Sequence, residues 1–291
     1  MKKRLGLLQS GALLAAMAVG AIAPSFAAEF GVSANLPWNG WMNVSDLPDS
    51  LGGQYYFGDY WGVPELPATF SGDIVTLAPN TTIDAVWHVP LSDSFWWKPD
   101  GTGNKAMDAV LFVEDHTVAG QAVTFSGVVL SNTLVSPYTA VAFVRDFDAD
   151  NGYSFDETKV NLVAGKAFSV TRRIAAGPGH FVEIGFETNG PNAQLTGVEL
   201  LGAVEVGPPD PSILLQHLLA KVTEVGPGMS LADKVMAAQA SYSVRDIQGV
   251  CGVIKGFANE VRAQRGKKIA SMLSDSLASE AKAIRAVIGC K

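Results

Sequence analysis

The run Arg145 to Glu157, RDFDADNGYSFDE, sets four aspartates and a glutamate around an Asn-Gly pair, in a chain where charged residues are only 17% of the total. Counting Asp146 as position 1 puts Asp148 at 3, Asp150 at 5, Gly152 at 7, Ser154 at 9 and Glu157 at 12. This is the carboxylate rhythm of a calcium loop of the EF-hand type, in which alternate residues of a tight turn aim oxygens at a hard cation. Asp146, Asp148, Asp150 and Glu157 are therefore the candidate metal ligands, and calcium in a structural role is the candidate cofactor. Two positions depart from that pattern: Asn151 stands where glycine is expected, and Tyr153 where a small aliphatic residue is expected. The flanks TAVAFV and KVNLV read as strands, so no helix-loop-helix is available. The competing reading is a plain acidic hairpin turned at Asn151-Gly152, with Asp146 answered by Arg145 or Lys159.

A second group of residues suits sugar recognition. Trp38, Trp41, Tyr55, Tyr56, Tyr60, Trp61, Trp87, Trp96 and Trp97 all precede Lys98. Exposed flat rings stack on the C–H faces of sugars, with nearby Asp, Asn or Gln taking the hydroxyls. In DSFWWKPDGTGN, Asp93 to Asn104, adjacent Trp96 and Trp97 point to opposite faces if the chain is extended, which exposes one of them unless a loop covers it. The QYYFGDYW stretch, with Tyr56, Tyr60 and Trp61, ranks second. Packing in a core is the alternative use of every one of these rings.

Catalytic patterns are weak. Glu183 and Glu187 share a strand face but stand about 13 Å apart along it, whereas a glycosidase pair needs about 5 to 9.5 Å. His88, His116, His180 and His217 are scattered without zinc-ligand spacing. The chain contains no Gly-x-Ser-x-Gly elbow, no phosphate-cradling glycine loop, and no cysteine before Cys251. A polysaccharide hydrolase or lyase would need carboxylates from separate strands, so a non-catalytic protein is expected.

These candidates are placed by a leader, a β region and a helical tail. The first residues, MKKRLGLLQSGALLAAMAVGAIAPSFAAEF, give a basic start, an apolar run and a small-x-small cleavage pattern, read as a signal peptide over 1–27. No later run is long and apolar enough to span a bilayer, so a secreted, periplasmic or cell-surface protein of a bacterium is expected. From 28 to 206, short β-branched and aromatic runs alternate with Gly, Pro, Asn and Asp. FSGDIVTLA, MDAVLFVED, QAVTFSGVVLS, TAVAFVRDF, KVNLVAG, AFSVTRRIA and HFVEIGFET are strand candidates at the spacing of a sandwich. Residues 207–211 read as a Pro-rich linker.

From 212 to 291 apolar residues recur at helical spacing, with Ile247, Cys251, Ile254, Ala258 and Val261 on one stripe and Leu273, Leu277, Ala281, Ile284 and Ile288 on another. Ser230 with Asp233 and Ser243 with Asp246 resemble capping boxes that start helices. The expected architecture is multidomain β + α: an antiparallel, jelly-roll-like β-sandwich followed by a small α-helical bundle.

Charge separates the two parts. Ala28 to Pro211 carries seven Lys and Arg against 22 Asp and Glu, a net of −15, and Ser212 onward carries 11 against six, a net of +5. An acidic β part excludes nucleic acid as its partner. RAQRGKK, Arg262 to Lys268, is a solvated helix end or a contact for an anionic surface. Cys251 and Cys290, both in the helical part of an exported chain, are most simply a disulfide, with two free buried thiols as the alternative.

The segments LLAKV, AAQASYS, VCGVIKGFANEVRAQRGKKI and AIRAVIGC resemble the helical module called FIMAH, found at the C-termini of bacterial exported proteins. The resemblance rests on Cys251, Phe257, Asn259, Val261, Gly266 to Lys268 and Cys290, and implies an accessory module without a reaction of its own. Between Asn35 and Asn192, the words WMNV, YYFGDYWGVPEL, GNKAMDAVLFVE, VTFSGVVLSNTL, AFVRDF and EIGFETNGPN are similar to uncharacterised exported sandwich modules that look like carbohydrate-binding jelly rolls. Together they imply a secreted binding protein that recognises a glycan or cell-surface polymer through the sandwich, with a protein partner for the helical module. A structural or adhesive envelope protein is the alternative.

Overall fold

The computed structural model describes residues 27–47, 53–223, 225–226 and 228–291, so the expected signal peptide lies almost entirely outside the described residues. Twelve strands and five α-helices, besides three short 3-10 turns, follow in order among the described residues. They are β1 (Ala28–Gly31), β2 (Asn39–Asp46), β3 (Tyr55–Tyr60), β4 (Ala68–Ser71), β5 (Ile74–Leu77), α1 (Thr82–Ala85), β6 (Lys105–Asp115), β7 (Ala122–Asn132), β8 (Thr139–Asp148), β9 (Ser154–Asn161), β10 (Lys166–Arg173), β11 (His180–Pro191) and β12 (Val204–Gly207), then α2 (Pro211–Val222), α3 (Ser230–Ser243), α4 (Ile247–Gln264) and α5 (Ser271–Ile288).

The strands form two six-stranded sheets. The back sheet runs β10, β7, β12, β5, β4, with β1 also on β7. All its pairings are antiparallel except that of β1 with β7. The front sheet, ordered β3-β2-β6-β11-β8-β9, is antiparallel throughout. Alternate residues of facing strands interdigitate between the sheets: Met42 and Val44, Leu111, Val144, Ile184 and Phe186 from the front, Val75, Phe125, Val170 and Val206 from the back. Their period of two is what a half-buried strand requires.

The outer face of the back sheet is covered by helices. Ile74, Val128 and Leu130 point away from the sandwich and share one buried cluster with Leu214, Leu218, Phe257, Leu277 and Ile284. α5 lies across β7 and β10 and packs against α2 and α4. A polar seam crosses the same boundary. Lys221 Nζ on α2 donates to Glu205 on β12 at 2.6 Å and lies 3.3 Å from Glu280 on α5. Ser131 on β7 also donates to Glu205, and His217 Nδ1 lies 2.8 Å from the wholly buried Glu280. The layers are therefore helices, back sheet, front sheet. Among the described residues no helix or strand packs across the outer face of the front sheet.

Helix starts differ in detail from the sequence expectation. Ser230 opens α3, but its hydroxyl donates to Glu260 on α4 and the cap position is Met229. Ser243 ends α3, and α4 is capped by Asp246, which accepts from Gly249 N at 2.9 Å. Ile247, expected on the buried stripe, is 39% exposed because Val250 and Phe257 take the inner face. Cys251 and Cys290 sit at disulfide distance, Sγ to Sγ 1.92 Å, joining α4 to the end of α5. Among the described residues no helix is long and apolar enough to cross a membrane.

Candidate functional site: the outer face of the front sheet

On β2, Met42 and Val44 turn inward and are fully buried, which sends Trp41 and Asn43 outward. Register then places Trp41 beside Tyr60 of β3 and Val110 of β6, and Asn43 beside Gly58 and Asp108. Along β11, Val182, Ile184 and Phe186 belong to the inner core, so Glu183 and Glu187 stand on the outer face. Opposite Glu183 lie Glu114 of β6 and Arg145 of β8. Val110, Phe112 and Phe143, with Trp41 packed on them, form a buried cluster separate from both other cores. The face thus has an apolar floor, and charges and rings stand around it.

The ring-bearing edge is built by close contact. Trp41 and Tyr60 meet edge to face at 4.9 Å, and the Trp41 indole N–H donates to Asn43 Oδ1 at 2.8 Å. A Cβ on Gly58 would lie 2.7 Å from both Asn43 Oδ1 and the Tyr55 hydroxyl, so glycine alone lets that hydroxyl approach the strand. Tyr60 is 66% exposed and Tyr55 59%. At the opposite end Phe147 and Phe181 stack at 5.2 Å, Phe155 meets Phe147 at 4.8 Å, and His116 stacks on Phe181 at 4.5 Å.

The charges between these edges fall into two kinds. Arg145, buried with its guanidinium 3.9 Å from the Phe143 ring centre, donates to Glu157 at 3.1 Å and to Glu187 at 2.5 Å. Lys159 reaches the same two carboxylates at 2.9 and 3.1 Å. Glu157 and Glu187 are thus held by two shared cations. Glu183 and Asp108 are not. Glu183 is 8% exposed, no hydrogen bond reaches its carboxylate among the described residues, and burial, with Arg145 opposing it and Glu114 adding to it, pushes the carboxyl up to about 7. Asp108 Oδ2 accepts from Asn43 at 3.2 Å while its buried Oδ1 has no partner. Burial and the nearby Glu187 push that carboxyl up to about 6. Burial, then the Glu114 and Glu183 carboxylates, also raises the Tyr60 phenol.

Of the rings singled out in the sequence, Tyr60 belongs to this face. Tyr56 does not: the register shift between Val44 and Ser45 turns it to the sheet end, where its hydroxyl donates to Asp46 and its ring meets Phe95. Trp61, Trp96 and Trp97 are 6%, 9% and 2% exposed, so the expectation of one exposed indole in the Trp96-Trp97 pair is not met. The chain there is turned rather than extended: Trp97 N donates to Asp93 O at 2.9 Å, and the Trp97 indole reaches Val89 O. Both rings pack into the core, Trp96 against Phe57, Phe95 and Trp87.

The four candidate metal ligands are not brought together. Arg145 pairs with Glu157 and Asp146 with Asp156 across the β8–β9 hairpin, so Glu157 and Asp146 lie on opposite faces. Asp146 accepts from Ala175 N and faces His180, and Asp148 accepts from Asp150 N within the turn. Gly152 and Tyr153 both take positive φ, 66° and 58°, to close that turn. Among the described residues no group of three or more His, Cys, Asp or Glu is arranged to hold a metal ion.

The chain is thus a two-sheet β structure backed by helices, with one ring-lined open face. No family model matches it, and no curated protein matches its sequence. Among solved structures, it overlaps a carbohydrate-binding module, TmCBM61, solved with β-1,4-galactotriose: 11% identity, 59% of this chain, 85% of that one, TM-score 0.28. It also overlaps the CBM22-1–GH10 modules of Clostridium thermocellum endo-1,4-β-D-xylanase 10B, solved with xylohexaose: 10% identity, 36% of this chain, 22% of that one, TM-score 0.20. Overlaps this slight assign neither a ligand nor a family.

Proposed function

We propose that this is a secreted, non-catalytic glycan-binding protein whose ligand lies on the outer face of the front sheet. The observation that carries the reading is that face itself. It is uncovered among the described residues, exposes Tyr55 and Tyr60 beside Trp41, and holds Glu183, 8% exposed, and Asp108, whose Oδ1 is buried without a hydrogen-bond partner. Rings for stacking beside convergent polar groups are what sugar recognition needs. The leader supports export, and the paired cysteines fit an oxidising compartment.

Spacing keeps the two carboxyls without a cation from acting as one glycosidase pair, and Glu114, directly across from Glu183, is engaged by His116 at 2.5 Å. Asp108 lies opposite Asn189 and Glu183 opposite Glu114, which separates these two carboxyls by six residues, about 20 Å, along the strands. That exceeds the reach of a glycosidase pair. Glu187, between them, is occupied by Arg145 and Lys159.

The test is co-sedimentation with a panel of insoluble polysaccharides, comparing the parent with Trp41→Ala, Tyr60→Ala and, on the helical side, Val244→Ser. Binding lost in the first two and kept in the third supports the face. Binding kept in Trp41→Ala and Tyr60→Ala, with circular dichroism unchanged, removes it.

A further inference from the structure

The front face carries five carboxylates, Asp108, Glu114, Glu157, Glu183 and Glu187, on β6, β9 and β11. Its fixed cations are Arg145 and Lys159, and both are committed to Glu157 and Glu187. Glu114 has His116 at 2.5 Å. Glu183 and Asp108 remain without a counter-ion at opposite ends of the face. Glu183 is more than nine-tenths buried as a residue and, among the described residues, has no salt-bridge or hydrogen-bond partner on its carboxylate, while Asp108 Oδ1 is itself a buried atom without a partner. Buried acceptors in this condition are costly unless something supplies the missing partner.

What supplies it must be a donor, and three classes of glycan differ in how well they do so. A neutral glycan gives hydroxyl donors but leaves the charge uncompensated. An anionic one, rich in carboxylate or sulfate, meets an acidic face whose two cations are already engaged, and is repelled. A glycan with free amino groups brings ammonium donors, each with three N–H groups, to carboxylates that lack a cation. The rings lie in the right place for the rest of the sugar: the Tyr60 ring stands 6.5 Å from that of Phe112, which shares the outward face of β6 with Glu114, and Trp41 is hydrogen-bonded through Asn43 to Asp108.

Resting on the glycan reading above, we infer that the ligand is an amino-sugar glycan with unacetylated amines, its ammonium groups received by Glu183 and Asp108 at the two ends of the face. Each carboxyl now holds a proton more tightly than an exposed one does, near 7 for Glu183 and near 6 for Asp108. Each is therefore ready to exchange that proton for a cation.

The experiment is titration calorimetry at pH 6.5 and low salt with a glucosamine hexamer, its N-acetylated counterpart, a uronic acid oligomer of equal length, and a lysine hexamer. The expected order is glucosamine over N-acetylglucosamine by about tenfold, a difference one charged contact can supply, with no measurable uronate binding. Glu183→Gln and Asp108→Asn should each lower that preference to about threefold, and the double variant should abolish it. Equal binding of the two hexosamine oligomers, or a preference unchanged in both variants, overturns the inference and leaves glycan binding standing. A lysine hexamer that binds as tightly as glucosamine overturns the sugar half of it. No binding of any oligosaccharide overturns the inference and the function together.

Discussion

Glu183→Gln should make the protein more stable at pH 8 and no more stable at pH 4.5. The folded carboxyl titrates at about 7 against an ordinary 4.5 because burial disfavours its charge, and at 8% exposure solvent does little to relieve this. The folded value lies above the unfolded one, so the stability contributed by Glu183 is complete below about pH 4.5 and is lost as pH rises through about 7. That difference corresponds to about 3 kcal/mol, a sizeable part of the total for a domain of ordinary stability. Glutamine has nearly the same shape and does not ionise, so it escapes the loss. Urea unfolding of parent and variant at both pH values is the assay, with an unchanged m-value as the sign that the same surface is exposed. A stability gap of the same size at both pH values, or a variant weaker than the parent at pH 8, would refute the reasoning. A group that destabilises its own fold at neutral pH is what a binding site, rather than a scaffold position, retains.

Three further outcomes follow. Trp97→Ala should lower stability by about 3–5 kcal/mol in denaturant unfolding, since the ring is 2% exposed and hydrogen-bonded; any glycan affinity should survive in the folded fraction. Removing Glu280 as Glu280→Ala leaves Lys221 with Glu205 and the Ser276 hydroxyl and takes away the partner of His217; a loss of about 3–5 kcal/mol is expected from such a buried break, read from the urea midpoint. Cys251→Ser with Cys290→Ser opens a loop of 39 residues and should cost up to about 4 kcal/mol, seen as a lower melting temperature that reductant does not lower further.

The long inner strands were the most legible part of the fold. MDAVLFVED, QAVTFSGVVLS, TAVAFVRDF and HFVEIGFET correspond to β6, β7, β8 and β11, whose apolar residues are shared between an inner core and a covered or ring-lined outer face. β2 and β3 are not legible as strands, and they build the ring-bearing edge of the front sheet. Trp41 faces out while Met42 faces in, so both sides of β2 are apolar by residue type and the alternation that marks a strand disappears. β3 carries Gly58 and pairs across the register shift, which breaks the period again. The pairing of Glu183 with Arg145 and Glu114 depends on register between distant segments, which no local pattern contains. The tryptophan pair is hidden for the opposite reason: two adjacent rings take opposite faces only in an extended segment, and the Asp93 turn bends this one into the core.

The helices occupy the one face of the sandwich that could not be left wet. Ile74, Val128 and Leu130 would otherwise be exposed on the back sheet, and Lys221 ties β12 to α2 and α5 through Glu205 and Glu280. The helical part is thus a fixed back plate and not a tethered arm. Whatever its surface touches, including any anionic layer drawn to Arg262, Lys267 and Lys268, must lie on the far side of the molecule from Trp41 and Tyr60. The protein has the geometry of a double-sided spacer, able to hold two different surfaces apart by its own thickness and in one orientation.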